Sequence, residues 1–78
     1  MDSNKVQLKH AALFEGFQVP GLSQDMEKVL MLNGATKGQG VVTSITKDED
    51  TLWVTFKKGQ LEFRAMIPWV HVKSATPA

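Results

Sequence analysis

Between positions 51 and 66 the chain reads as one β-hairpin with two clean faces, and no other segment constrains the fold as strongly. Leu52, Val54 and Phe56 alternate with Thr51, Trp53, Thr55 and Lys57; Leu61, Phe63 and Ala65 alternate with Gln60, Glu62, Arg64 and Met66. A two-residue turn at Lys58-Gly59 sets Phe56 opposite Leu61, Val54 opposite Phe63 and Leu52 opposite Ala65 on one face. Thr55–Glu62 and Trp53–Arg64 fall on the other. Because side chains along a strand repeat every two residues, every apolar partner lies on the same side. The expected core is Leu52, Val54, Phe56, Leu61, Phe63, Ala65, Ile67 and Val72. A tryptophan is left on the face expected to be wet.

The 78 residues give room for one domain and one small core. The expectation is a single domain over 1–78, with 1–4 and 74–78 as flexible tails. A core of this size is marginal alone, which favours association with a partner or with a second copy. The chain has no cysteine, so disulfides and thiolate metal sites are excluded and the cytoplasm is the default compartment. Met1-Asp2-Ser3-Asn4 offers neither a basic nor an apolar start, so no signal peptide is expected. The apolar run 29–32 is far shorter than the about 20 residues that a membrane helix needs, and no membrane association is expected.

Nine basic residues against eight acidic ones give a net charge of +1. Dedicated nucleic-acid-binding domains usually carry a stronger basic excess. Lys57 and Lys58 at one turn, with Lys37 before Gly38, either form a basic patch or keep a hairpin end soluble and protect a sheet edge.

Along the chain, residues 5–9 alternate as a short strand with Val6 and Leu8 on one face. Residues 11–17, broken by Gly16, are strand or irregular loop. Val19-Pro20-Gly21 is turn chemistry, because Pro presets φ and Gly accepts positive φ. In 23–32, Ser23 suits a helix cap with Gly34 as the stop, whereas the continuous apolar run suits a strand covered on both sides. The favoured reading is a strand over 27–32, with a helical turn at 23–26. Residues 34–40, with three glycines, form a loop, and the β-branched 41–46 a strand. A charged turn at 47–50 leads into the hairpin. Pro68 ends it, since Pro cannot donate to a central ladder. A last short strand is expected over 69–73.

No catalytic arrangement is legible. His10 and His71 lack any metal-ligand spacing. Ser3, Ser23, Ser44 and Ser74 have no nucleophile-elbow sequence around them. Asp48-Glu49-Asp50 lacks the calcium-loop spacing and reads as a solvated turn. Gly38-Gln39-Gly40 lacks the helix and the Lys-Ser/Thr that cradle phosphate. Neither enzymatic activity nor a cofactor is expected.

Several short strands, one tight hairpin and a proline turn before a final strand indicate an all-β, small, partly open barrel of five or six strands. The segment Met66-Ile67-Pro68-Trp69-Val70-His71-Val72 resembles the end of an SH3 domain, where an Ile-Pro dipeptide opens one 3₁₀ turn and a Val closes the last strand. Ala12-Leu13-Phe14-Glu15 followed by Phe17 resembles the Ala-Leu-Tyr-Asp-Tyr start of that family, with Gly16 inserted. Leu52-Trp53 falls near the family's tandem tryptophans, and Lys58-Gly59-Gln60 near its distal glycine turn. A second resemblance overlaps the first. Lys37-Gly38-Gln39-Gly40-Val41-Val42, then Trp53-Val54-Thr55-Phe56 and Gly59, is similar to Tudor-like and KOW-like SH3 barrels of bacterial transcription and repair proteins. Together the resemblances cover about residues 11–73 and imply an SH3-like barrel. The groove that binds proline-rich peptides in SH3 domains is not implied. Leu52 stands where its first tryptophan belongs, His71 replaces its final tyrosine, and the chain has no tyrosine.

The expected function is therefore non-catalytic binding. Trp53, Arg64 and Met66, extended by Trp69 and His71, form the expected protein-binding surface, for another protein or a second copy, because Trp, Arg and Met are enriched at interfaces. In size and style the chain also resembles the small accessory proteins that phages encode to engage host machinery. The alternative is a nucleic-acid-binding barrel, with Lys37, Lys57, Lys58 and Arg64 on phosphates and Trp53 stacked on a base.

Overall fold

In the computed structural model, which describes residues 5–14, 28–36 and 38–78, the hairpin is present and is the spine of an all-β fold. Its arms are β5 (Thr51–Lys58) and β6 (Leu61–Pro68). The other strands are β1 (Lys5–Leu13), β2 (Val29–Met31), β3 (Ala35–Thr36), β4 (Gly40–Asp48) and β7 (Val72–Pro77). All pairings are antiparallel, in the order β2-β1-β4-β5-β6, with β3 on β4 and β7 on β1. The sheet does not close on itself. The expectations for 1–4 and for the turns at 15–27, together with Lys37, lie outside the described residues.

Along β5 the burial alternates without interruption: Leu52, Val54 and Phe56 are buried, while Thr51, Trp53 and Thr55 are half-buried on the opposite face. Ala65 and Ile67 complete the buried side on β6, with Phe63 packed against it. The register differs from the sequence reading by two residues. Gly59 and Gln60 form the turn, and the pairs are Phe56–Phe63, Val54–Ala65 and Leu52–Ile67. Gly59 has φ +64, which an L side chain resists, so the turn is built around it one position later than expected. An even shift preserves which side each residue faces, so the two faces stand while the partners change. It also moves Leu61 out of the core. Leu61 now pairs with Lys58 at the overhanging tip and is 70% exposed.

The rest of the core comes from Leu8, Ala11 and Leu13 on β1, Leu30 on β2, and Val42 and Ile45 on β4. Leu8 and Ala11, like Val42 and Ile45, are separated by three residues, an odd step that a regular strand would send to opposite faces. Both strands shift register between these positions, β1 between Leu8 and His10 and β4 between Val42 and Ser44. An extra residue at such a bulge flips the alternation and bends the strand, so the sheet curls over its apolar side. Gly40 sits where β4 starts, at φ +83, and a Cβ there would collide with the Lys57 carbonyl oxygen. Only glycine lets β4 approach β5 this closely.

The C-terminal end departs from the sequence reading. Trp69–His71 form a 3₁₀ turn directly after Pro68, and the last strand starts at Val72 and continues through Pro77. Residues 74–78 are therefore not a flexible tail. Ser74, Ala75 and Thr76 pair with Ala12, Ala11 and His10, and the Ala78 N–H donates to the Gln7 carbonyl at 3.0 Å. The partner strand supplies the reason. β2 and β7 flank the shared stretch His10–Ala12 on its two edges, and backbone groups of β1 left unpaired would cost more than ordering this short segment of small residues.

Candidate protein-interaction face

The outer face of the sheet carries the residues that the core does not use. Trp53 and Thr55 on β5, Arg64 on β6, Ser44 and Thr46 on β4 and Gln7 on β1 surround an open cavity of about 390 Å³, closed at one end by Lys5 and Asp48. Trp53 pairs directly with Met66, which is 58% exposed. Arg64 pairs with Thr55 and reaches diagonally, so that its guanidinium carbon lies 5.2 Å from the centre of the Trp53 ring. The sequence reading set Arg64 directly opposite Trp53; the two-residue shift makes the contact diagonal and keeps it. A cation over such a partly exposed ring contributes about 0.5–1 kcal/mol.

The floor of the cavity is a row of hydrogen-bonding groups. The Thr46 hydroxyl donates to Gln7 Oε1 at 3.2 Å, and Ser44 Oγ lies 3.5 Å from Thr46 Oγ1. These residues were not singled out from the sequence. The signal available was the alternation of Ser44 and Thr46 with Ile45, and the bulge at Thr43 hides its continuation. The arrangement offers an aromatic platform, a cation and polar anchors, which suits binding.

Trp69 and His71 do not join this face. Trp69 packs against the core from the 3₁₀ turn, its N–H donating to the Asp50 carbonyl at 2.8 Å. Lys47 Nζ lies 5.0 Å from its ring centre. Lys47 pairs with the buried Leu52 and so projects to the core side, which puts Trp69 across the sheet from Trp53. His71 is half-buried in the same turn, and its carbonyl accepts from the Phe14 N–H at 3.0 Å. The five expected residues thus lie on two sides of the sheet, with Trp53, Arg64 and Met66 together on the outer face.

The lysines expected on phosphates are also divided. Lys57 and Lys58 are successive strand residues on opposite faces; Lys57 pairs with Glu62, and Lys58 Nζ donates to the Gly38 carbonyl at 3.1 Å. Across the outer face, Lys5 pairs with Asp48. Lys57 and Lys5 thus each stand across from an acidic residue in the strand register, and Lys58 is tied to a carbonyl.

Among the described residues no three His, Asp or Glu side chains converge as metal ligands, and no helix is long and apolar enough to cross a membrane. Comparison with protein-family models, with curated proteins and with solved structures finds no match.

Proposed function

We propose that the chain is a non-catalytic protein-interaction module on an SH3-like, partly open barrel, and that Trp53, Arg64 and Met66 make its principal contact. The observation that carries this reading is the Trp53–Met66 pair with Arg64 over the indole, beside an open cavity. A rigid aromatic group held by a cation loses little entropy when a partner covers it, and residues of these three types dominate interface cores. The SH3-like reading is supported by the order of elements: two successive hairpins, a 3₁₀ turn after Pro68, and a final strand returning to β1. Interleaved charge favours a protein over nucleic acid, because phosphate binding needs a uniform positive track.

The test is capture from native host lysate by wild type and by Trp53→Ala, with and without nuclease, at low and high salt. A protein retained by wild type through nuclease and salt, and released by Trp53→Ala, supports the reading. Retention that disappears with nuclease or falls steeply with salt identifies nucleic acid instead.

A further inference from the structure

The hairpin ends in an edge strand. β6 pairs with β5 on one side, and no described residue pairs with its other side. The two-residue Gly59-Gln60 loop makes Lys58 and Leu61 the closing hydrogen-bonded pair. Antiparallel bonding then alternates, so Phe63, Ala65 and Ile67 also bond to β5, while the backbone groups of Glu62, Arg64 and Met66 point outward. All three are exposed. Pro68, without an N–H, terminates this row.

We infer that β6 pairs antiparallel with β6 of a second copy, with Glu62 opposite Arg64 of that copy. The register follows from charge. A two-fold axis requires outward-pointing residues to meet outward-pointing residues. Centring the axis on Arg64 sets two guanidinium groups against each other, which like-charge repulsion disfavours. Centring it one residue earlier, on Phe63, sets Glu62 opposite Arg64 twice, each copy supplying one carboxylate and one guanidinium. The same register places Phe63 beside its own counterpart and Leu61 opposite Ala65 of the second copy. Leu61, the core-side leucine left 70% exposed at the tip, is thereby covered. The pairing uses the backbone edge of the sheet, and its charge pair shares Arg64 with the outer-face contact.

Sedimentation velocity of the full chain over a wide concentration range tests the inference. Wild type shows a monomer–dimer equilibrium. Glu62→Arg and Arg64→Glu each weaken dimerisation at least tenfold, and the double variant Glu62→Arg/Arg64→Glu restores it, because both charge pairs re-form with inverted sign. Circular dichroism confirms that each variant is folded. A chain monomeric at every concentration overturns the inference, as does a double variant that stays as weak as the single ones. A dimer insensitive to Glu62→Arg also overturns it, since in the register centred on Arg64 that residue faces no charge. The double variant also removes the cation over Trp53, so a restored dimer with heterologous binding lost shows that the edge pairing stands without the outer-face contact.

Discussion

Phe56 and Phe63 stack across β5 and β6 with ring centres 5.6 Å apart and planes 21° apart. The contact exists because these residues are direct cross-strand partners. In the register with the turn at Lys58-Gly59, Phe63 would instead face Val54 and Phe56 would face Leu61. The stack and the glycine at positive φ therefore agree on one register, and side-chain packing and turn chemistry reinforce each other.

Phe56 is fully buried, so Phe56→Ala should cost about 3–5 kcal/mol by loss of contact and cavity formation. That is a large share of the stability of so small a domain. Phe63 is half-buried and its truncation should cost about half as much. Urea unfolding of both single variants and the double variant measures their coupling, expected at about 0.5–1.5 kcal/mol. Strict additivity would mean that the rings do not interact.

Gly40→Ala should destabilise by at least about 2 kcal/mol, since an L residue at positive φ costs roughly 1–2 kcal/mol and the added methyl meets the Lys57 backbone. Gly59→Ala provides the comparison. Gly59 also has positive φ, but a Cβ there meets nothing within 4 Å, so only the conformational cost applies. Equal losses of denaturant midpoint in the two variants would remove the close approach of β4 and β5 as a constraint.

What could be read in the sequence follows the bulges. β5 and β6 pair without a break, so Leu52, Val54, Phe56, Ala65 and Ile67 were legible from alternation alone. Leu61 obeys the same alternation and is still exposed, because periodicity assigns a face and says nothing about where the opposing core ends. On β1 and β4 the register shifts invert the pattern midway, so Ala11 and Val42 gave no periodic signal. β7 was hidden for another reason. Ser-Ala-Thr-Pro has little strand propensity, and its pairing is imposed by the edge of β1. At the site, Trp53, Arg64 and Met66 were legible as neighbours on one face. The polar floor from Gln7, Ser44 and Thr46 was not, because it needs β1 and β4, two strands distant in sequence, to be brought side by side.

Both tight hairpins place their first loop residue at positive φ: Gly59 in one and Glu49, at φ +56, in the other. Glycine is suited to this position and glutamate is strained there. Glu49 is exposed, so its replacement disturbs no packing. Glu49→Gly should raise the thermal midpoint by a few degrees, because relief of about 1–2 kcal/mol of backbone strain exceeds the added chain entropy of the unfolded state, about 0.4–1 kcal/mol. Glu49→Asn should move the midpoint the same way by less. A lower midpoint for Glu49→Gly, followed by circular dichroism, would contradict the strain assigned to this turn.

The two tryptophans should respond oppositely to truncation. Trp69 packs on the core, and Trp69→Ala should cost about 2–3 kcal/mol, less than the about 3–5 kcal/mol of a fully buried aromatic because it is half-buried. Trp53 sits on the outer face, where its loss removes a cation–π contact and cross-strand packing on Met66, about 1 kcal/mol together. In partner binding the order reverses. Trp53→Ala should weaken affinity by at least about 2 kcal/mol, as hot-spot aromatics do, while Trp69→Phe, which keeps the core filled, should leave affinity unchanged. Urea midpoints measure the first difference and titration calorimetry with the captured partner the second. If Trp53→Ala unfolds the chain, Trp53 belongs to the structural core; if it binds normally, the contact lies elsewhere on the sheet.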